Sequence, residues 1–314
     1  MRSVDAAGMA AGYALDALLG DPRRYHPVAG YGKAATAWER LVYAPSRADG
    51  AIFTGLAVGV PVVAAAVAHR VTRRRPLARF ALVAATTWAV LGGRSLRREA
   101  GALADSLEAG DLPAARERIT HLCGRDPAAL DEPDLARATV ESVAENTSDA
   151  VVAPLVWGAV AGLPGLIGYR AVNTLDAMVG HKSSRYARFG TAAARLDDAA
   201  NLGPSRLTAV LTAVCAPVVG GQARRTWRIW QRDGGRHPSP NSGQCEAAFA
   251  GALDVQLGGE NIYFGRTEVR PNLGDGGKPT AADARRAARL SAAVGLAALG
   301  VAVVARLALA GKKP

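Results

Sequence analysis

The sequence predicts an all-α fold: a multi-pass integral membrane helical protein with a helical soluble insertion and long polar loops. Hydrophobic residues make up 49% of the 314 residues, yet aromatic residues make up only 5%. The apolar residues stand in uncharged blocks that arginine-rich segments separate. A basic excess beside apolar blocks is typical of sequence next to a membrane. We therefore expect a single membrane-embedded domain over residues 1–314, with four to six apolar helices.

The N-terminal segment VDAAGMAAGYALDALLG is apolar but contains Asp5 and Asp16. A signal peptide needs a basic N-terminal region followed by an uncharged apolar stretch. Here only one basic residue, Arg2, precedes the apolar stretch, and the two acids interrupt it. The segment therefore predicts a retained first helix whose carboxylates face protein rather than lipid. A buried helix of a soluble protein is the alternative interpretation.

Residues 51–68 carry no charge and are followed by His69 and four arginines. At about 1.5 Å per residue, this stretch nearly crosses a hydrocarbon core of about 30 Å. Pro61 would be awkward in a soluble helix, but it is tolerated in a membrane helix. Further apolar blocks stand at residues 80–93, 207–221 and 290–305.

The block at residues 150–169 is also uncharged, but Pro154, Pro164 and several glycines interrupt it. Such a block forms either a kinked span or a re-entrant pair of half-helices that lines a cavity. We favour the pair, because a full crossing would place the charged segments before and after it on opposite faces of the membrane.

Two polar segments separate the apolar blocks. Residues 94–149 predict a helical extramembrane insertion, with Asp111 and Asp134 as N-caps. Residues 222–289 are basic and rich in Gly and Pro, and they predict a loop-rich extramembrane segment. No segment alternates polar and apolar residues long enough to predict a strand with assurance.

The net charge of +11 suits nucleic acid, an anionic membrane surface or phosphorylated ligands. The sequence has no zinc-finger spacing, no aromatic RNA-binding stretch and no basic helix followed by heptads, so we expect membrane lipid and no nucleic acid as partner. The three cysteines are far apart and form no CxxC pair. They predict reduced thiols that face the cytosol.

The stretch ESVAENTSDAVVAPLVW, residues 141–157, contains three carboxylates within nine residues, directly before an uncharged apolar block. Arg137, Glu141, Glu145 and Asp149 are spaced by four, so on a helix they form one stripe. Like charges at this spacing repel each other, and the repulsion grows near an apolar boundary. A divalent cation or a cationic ligand would stabilise the stripe. A solvated helix face is the alternative.

A second group of charges lies in residues 169–209. Asn173 and Asp176 share a helix face, and Asp197 with Asp198 is followed by Asn201 within about one turn. Oxygen-only clusters suit Mg²⁺, and the neighbouring arginines and lysine suit phosphate. Carboxylates beside cations are what a nucleotide–Mg²⁺ site requires. The alternative is a basic loop beside the membrane with ordinary ion pairs.

In order along the chain, six stretches resemble the adenosylcobinamide-phosphate synthase family, the membrane proteins of cobalamin biosynthesis called CobD or CbiB. One departure from the family pattern is Ala150, where the family has Gly. The stretches are LDALLGDPRRYHPV, ESVAENTSDAVVAPLVW, YRAVNTLDAMVGHKSSRYARFG, AARLDDAANLGPSRLTA, HPSPNSGQCEAAFAGALDVQLGG and RPNLGDG.

The resemblance implies a ligase that joins adenosylcobyric acid to (R)-1-amino-2-propanol O-2-phosphate, or a related amino alcohol phosphate, with ATP and Mg²⁺. The corrinoid is a substrate and not a cofactor. It also implies a multi-pass protein of the cell membrane with a cytoplasmic active site. Other enzymes of the pathway and a second copy of the chain are expected as further partners. A membrane transporter of an anionic or phosphorylated small molecule is the alternative function, since broken helices and intramembrane acids also suit one.

The predicted site combines three sets of residues, which we expect to converge at the membrane surface. The catalytic set is Glu141, Glu145, Asn146, Asp149, Asn173, Asp176 and His181; the phosphate-binding set is Arg170, Lys182, Arg185, Arg188 and Arg195; the metal-binding set is Glu145, Asp149, Asp197 and Asp198.

Overall fold

The computed structural model describes residues 2–22, 26–124, 127–181, 183–263 and 266–308, and it is dominated by helices. The α-helices are α1 (Arg2–Leu19), α2 (Pro27–Val42), α3 (Arg47–Val71), α4 (Pro76–Val90), α5 (Gly93–Glu108), α6 (Leu112–Ile119), α7 (Glu132–Thr147), α8 (Ala153–Ala161), α9 (Leu163–Leu175), α10 (Tyr186–Phe189), α11 (Thr191–Cys215), α12 (Ala223–Asp233), α13 (Ser242–Leu253) and α14 (Ala281–Ala308). Two π-helical turns, Ser148–Val152 and Asp176–Gly180, follow α7 and α9. An antiparallel hairpin joins β1 (Leu257–Tyr263) to β2 (Arg266–Leu273).

Four helical stretches are long and apolar enough to cross a membrane, so the all-α, multi-pass fold class is confirmed. They are Arg47–Arg74, Pro76–Glu108, Thr191–Val219 and Ala281–Ala308. The α3 helix leaves Val60, Val63 and Val67 exposed, which suits contact with lipid. The second stretch continues past residue 93 into the segment predicted as extramembrane.

The apolar block at residues 150–169 turns back on itself. Gly162 has φ +66° and separates α8 from α9, which pack against each other. A Cβ atom on Gly165 would lie 2.1 Å from the Trp157 carbonyl oxygen, so the two short helices touch at their backbones. At about 1.5 Å per residue, α8 is too short to cross a bilayer. The block is the pair of half-helices rather than the kinked span.

The chain divides into two compact units. The first unit comprises Met1–Gly92, Ala153–Asn201 and Leu299–Pro314, and the second comprises Gly93–Val152 and Leu202–Ala298. The core of the first unit includes Phe53, Leu175, Val179, Phe189 and Ala193. In the second unit, one cluster of buried side chains lies between α5, α6 and α7, and it includes Leu103, Ile119 and Leu135.

Both acids of α1 are buried, as predicted for carboxylates that face protein. In the first unit, Asp5 is 1% exposed and accepts hydrogen bonds from Nε and Nη2 of Arg79, at 2.5 and 2.8 Å. Arg306 on α14 donates to the same carboxylate at 2.5 Å. His69 Nε2 lies 2.8 Å from Arg79 Nη2. One carboxylate on α1 is thus bonded to arginines of both α4 and α14.

The segment at residues 94–149 forms α5, α6 and α7, in agreement with the helical prediction. Asp111 caps α6 by accepting the N–H of Ala114 at 3.0 Å. The predicted cap Asp134 is wrong, because α7 begins at Glu132 and its cap is Asp131, which accepts the N–H of Asp134 at 2.9 Å. Pro133 explains the difference, since proline favours the first turn of a helix.

The segment at residues 222–289 is more regular than predicted, because it contains α12, α13, the hairpin and the start of α14. The sequence pattern missed the strands, since Gly258 and Gly259 have φ of +86° and +84° and the register shifts between Leu257 and Gly259. Such an irregularity breaks the alternation that identifies a strand. The buried Asp233 holds this region together by accepting hydrogen bonds from Arg232 and from the N–H of Gly274.

The close contact between α3 and α10 gives a first testable prediction. A Cβ atom on Gly50 would lie 1.9 Å from the Phe189 carbonyl oxygen, and backbone cannot rotate away as a side chain can. We expect Gly50→Ala to destabilise the protein by about 1–3 kcal/mol, seen as a lower apparent melting temperature in detergent. Gly55→Ala, on the same helix with no atom within 4 Å of its Cβ position, is the control and should melt no lower than the parent. Equal melting temperatures for the two variants would contradict the close packing.

Candidate functional site

In the second unit, the carboxylate stripe runs from α7 into a π-helical turn. Glu141 and Glu145 lie one turn apart on α7, and Asp149 follows in the turn Ser148–Val152. Pro154 has no N–H to donate to the carbonyl four residues earlier, which favours the wider turn. Glu145 and Asp149 are half-buried, whereas Glu141 is 2% exposed. The stripe therefore has a buried end and a more open end.

The buried end of the stripe anchors the hairpin. Glu141 accepts the N–H of Gly258 at 2.7 Å, and Arg137 Nη1 lies 4.0 Å from the same carboxylate. Arg137 also donates to the carbonyl oxygens of Gly258 and Glu260. Arg137 and Glu141 thus form the ion pair that their spacing of four residues on a helix allows. These contacts give Glu141 a structural task, and its catalytic role stays a prediction.

Facing the open end of the stripe are residues that the sequence patterns did not single out. The helix α13 packs against α7, and it brings Cys245 next to Ser148. The neighbouring Glu246 is 1% exposed, and its Oε1 lies 3.8 Å from Nε2 of His237, in the turn before α13. These residues lie in the stretch HPSPNSGQCEAAF, but no metal or catalytic spacing marks them.

Electrostatics show which side chains in this group carry charge. Burial lowers the pKa of His237, and the positive charge of Arg270 lowers it further, while the carboxylates of Glu145 and Glu141 oppose this. Burial raises the pKa of the Cys245 thiol, as do the carboxylates of Asp149, Glu145 and Glu246. The imidazole is therefore neutral near pH 7 and the thiol keeps its proton. A reactive thiolate at Cys245 is excluded on this ground.

In the first unit, the polar residues of α9 and α11 form one hydrogen-bonded group. Asn201 donates to Asp197 Oδ2 at 3.0 Å, and Asn173 lies 3.4 Å from Asp197 Oδ1. Tyr169 donates its hydroxyl to Asn201 at 2.9 Å, and Arg170 lies 3.4 Å from Asn173. Two amides therefore orient a carboxylate that is 8% exposed.

The π-helical turn after α9 brings the carboxylate of Asp176 to this group, close to those of Asp197 and Asp198. Burial, together with the nearby carboxylates of Asp197 and Asp198, raises the pKa of Asp176 to about 7. The Asp176 carboxylate packs directly against Gly180 at the end of the turn. A Cβ atom on Gly180 would lie 1.8 Å from Asp176 Oδ1, so only glycine leaves room for this position of the side chain. Asp176 therefore changes its charge near neutral pH at a defined position.

The other residues of the predicted set are placed as follows. Arg185 donates to Glu39, 4% exposed, at 2.9 Å, and its guanidinium lies 4.0 Å from the centre of the Tyr43 ring. This buried acid was missed, and it gives Arg185 a structural partner. Exposed residues at the surface are His181, Arg188 and Arg195. Asn146 is half-buried and donates to the Ser142 carbonyl oxygen at 2.9 Å, and Lys182 lies outside the described residues.

The predicted metal-binding residues offer carboxylate oxygens, which suit a Mg²⁺ ion that phosphate oxygens also bind. Among the described residues, no three His, Cys, Asp or Glu side chains lie close enough to hold a metal by themselves. Glu145 and Asp149 belong to the second unit, and Asp197 and Asp198 to the first. Mg²⁺ commonly uses only one or two carboxylates and completes its shell with water and substrate phosphates. Either pair fits such a shared site, and the ligand set stays a prediction.

Comparison with known proteins decides the family. The family model described as CobD/Cbib protein matches residues 9–291. The chain belongs to the CobD/CbiB family. The resemblance seen in the six stretches is confirmed.

Relatives in this CobD/CbiB family match over most of their length. The cobalamin biosynthesis protein CobD of Mycobacterium tuberculosis is 53% identical over 304 residues, which is 96% of each chain. The proteins of the same name from Geobacter metallireducens and Chromobacterium violaceum are 49% and 43% identical, over 87% and 88% of each chain. No solved structure matches the chain.

Proposed function

We propose that the protein acts in cobalamin biosynthesis as an ATP-dependent ligase at the cell membrane. It joins adenosylcobyric acid to (R)-1-amino-2-propanol O-2-phosphate, or a related amino alcohol phosphate, and forms adenosylcobinamide phosphate. The observation that carries this proposal is the 53% identity over 96% of both chains to a protein named for cobalamin biosynthesis. The two groups of acidic and amide side chains supply the chemistry that such a reaction needs.

The reaction must activate a carboxylate, which is a poor electrophile because resonance and negative charge repel an amine. A propionate oxygen attacks the γ-phosphorus of ATP, and ADP leaves. The amine nitrogen then attacks the carbonyl carbon of the acyl phosphate, the C–O bond to phosphate breaks, and inorganic phosphate leaves. The ammonium must give up its protons in the process, one before attack and one after it.

The group in the first unit suits the phosphates of ATP. Asp197 and Asp198, with Asp176 beside them, would hold Mg²⁺ jointly with the phosphate oxygens, and the metal would neutralise charge that develops there. Asn173 and Asn201 fix the carboxylate of Asp197 by hydrogen bonds. Arg170, which lies next to Asn173, suits an anionic oxygen.

The group in the second unit suits the amine. Glu145 and Asp149 are half-buried, so they are open to a ligand and still poorly hydrated. A carboxylate in this position accepts a proton from the amine during attack. The Cys245 thiol keeps its proton, and Nδ1 of His237 already accepts the N–H of Ser239, so this task falls to the carboxylates.

The experiment is incubation of the purified full-length protein with adenosylcobyric acid, the amino alcohol phosphate and Mg·ATP. We expect one ADP for each molecule of adenosylcobinamide phosphate, measured by mass spectrometry. Omitting either substrate or ATP from the mixture should prevent the formation of both ADP and adenosylcobinamide phosphate. ADP release without the corrinoid amide would contradict the proposal.

A transporter of an anionic small molecule is the second candidate, because α8 and α9 form a re-entrant pair such as transporters use at their substrate sites. Protein in liposomes that moved the amino alcohol phosphate inward without consuming ATP would favour this candidate. Ligation without uptake would exclude it.

A further inference from the structure

In the second unit, the helix α12 follows directly on a candidate membrane span. The stretch Thr191–Val219 is long and apolar enough to cross a bilayer, and α12 begins at Ala223. Gly220 has φ +76° and ends the helical stretch, while a Cβ atom on Gly221 would lie 2.1 Å from the Ala252 carbonyl oxygen. The chain therefore turns after the span, and α12 packs against α13 instead of continuing the span.

A second candidate span begins where the first one ends. Arg286 is near the start of the span Ala281–Ala308, and it donates to the Val219 carbonyl oxygen from Nε and Nη2, at 3.2 and 3.0 Å. Its Nη1 donates to the Leu253 carbonyl oxygen at 2.8 Å. The end of one span and the start of another thus meet at one arginine. Since the ends of a span lie at the membrane surface, the turn that leads into α12 lies there as well.

The helix α12 has one buried and one exposed face. Ile229 and Trp230 are buried, whereas Arg224, Trp227 and Arg228 share an exposed face, because residues three and four apart lie side by side on a helix. Trp227 is 47% exposed, and the Trp230 ring packs perpendicular to it with the ring centres 4.9 Å apart. Tryptophan is enriched where a membrane meets water, because its ring is apolar and its N–H is polar.

The arginines of α12 and of the turn after it differ in their partners. Three of them pair with acids of the second unit: Arg225 with Asp254, Arg232 with Asp233, and Arg236 with Asp233. Arg224 and Arg228 are exposed, and neither forms an ion pair with any residue that the structure describes. Two guanidinium groups one helical turn apart suit the phosphate oxygens of lipid head groups, which arginine can bind through two N–H groups at once.

We propose that Arg224, Trp227 and Arg228 bind an anionic phospholipid at the membrane surface. The two guanidinium groups contact the head group, and the indole lies between the head group and the acyl chains. The chains contact the end of the adjoining span, where Val214 and Val218 are exposed. A zwitterionic lipid also has a phosphate, but its own cation repels the arginines. Each arginine near an anionic surface strengthens binding by roughly 5-fold, so α12 prefers anionic lipid.

The test uses the full-length protein in vesicles of phosphatidylcholine that contain a small fraction of lipid with brominated acyl chains. The brominated lipid is phosphatidylglycerol in one set of vesicles and phosphatidylcholine in the other, and bromine quenches the fluorescence of any tryptophan that it contacts. The chain has five tryptophans, so the signal of Trp227 is the difference between the parent protein and Trp227→Phe. We expect phosphatidylglycerol to bind beside Trp227 roughly 10- to 30-fold more tightly than phosphatidylcholine.

The double variant Arg224→Gln, Arg228→Gln should lose this preference, and each single variant should lose roughly 5-fold of it. Concentrated salt should weaken the preference of the parent protein, because it screens exposed charges. The control is Arg236→Gln, which removes an exposed arginine that already pairs with Asp233, and it should keep the preference of the parent. Equal melting temperatures of all variants would show that they fold alike.

The inference is overturned if the double variant keeps the preference for phosphatidylglycerol, or if the parent protein shows none. It is also overturned if neither brominated lipid quenches Trp227, since the exposed face of α12 would then be covered by a second copy of the chain or by another protein. All of these measurements are made without ATP or corrinoid, so their outcome does not depend on the proposed ligase reaction.

Discussion

Asp198→Asn is expected to lower the rate of adenosylcobinamide phosphate formation at least about 100-fold while the protein stays folded in the membrane. The substitution keeps the size of the side chain but removes the negative charge that stands beside Asp176 and Asp197. Loss of one electrostatic contact to a reacting phosphate commonly costs this much. The rate should be followed by mass spectrometry of the corrinoid product.

The control for Asp198→Asn is Glu117→Gln, which removes an exposed acid far along the chain from both groups. It should retain the rate of the parent protein. Raising the concentration of Mg·ATP should partly restore Asp198→Asn if the residue binds the metal–nucleotide, whereas a higher concentration of corrinoid should not. Full activity of Asp198→Asn at low Mg·ATP would remove this residue from the site.

Asp176→Asn should change how stability depends on pH. The pKa of Asp176 in the folded protein is about 7, raised from 3.8 by burial and by two neighbouring carboxylates. A raised pKa means that the folded state binds the proton more tightly, so the free energy of unfolding falls as pH rises from about 4 to about 7. Asn lacks this titration. The variant should match the parent near pH 4 and be more stable by about 1–3 kcal/mol above pH 7.

The measurement for Asp176→Asn is the apparent melting temperature in detergent from pH 4 to pH 9, with and without Mg²⁺. At pH 8, Mg²⁺ should raise the melting temperature of the parent protein and should have a smaller effect on the variant. In the ligase reaction the variant should be impaired at all pH values, since it cannot gain the charge. A parallel pH dependence of stability for parent and variant would contradict the raised pKa.

The sequence predicted the helical membrane fold because composition alone carries that signal. Exposure of an uncharged apolar block such as residues 51–68 to water is unfavourable, and the length of the block as a helix matches the thickness of the hydrocarbon core. The pair of half-helices at residues 150–169 was also predicted, because prolines and glycines interrupt this block and a full crossing would have separated the charged segments before and after it. The hairpin was missed because its double glycine breaks the alternation, and the cap Asp131 because its place depends on where Pro133 sits in the first turn.

Contacts within the candidate site could be predicted where the two residues are close in sequence, and they were missed where the residues are far apart. Asp197 and Asn201 are four residues apart on one helix, so their hydrogen bond follows from helical spacing. Arg185 and Glu39 meet across 146 residues, and His237 approaches an acid on another element, so no local pattern indicates either pair. Glu246 was overlooked for a related reason, because an acid within an Ala-rich stretch shows its burial only after the helices pack.

The shared carboxylate of Asp5 has a consequence for how the protein is made. One of its partners, Arg79, lies 74 residues from Asp5, but the other, Arg306, lies 301 residues from it and so leaves the ribosome much later. The buried charges of the first unit are therefore balanced only after α14 has been synthesised. Release of the chain before α14 would leave an N-terminal portion in the bilayer with an incomplete charge network, a form that membrane quality control could recognise and remove.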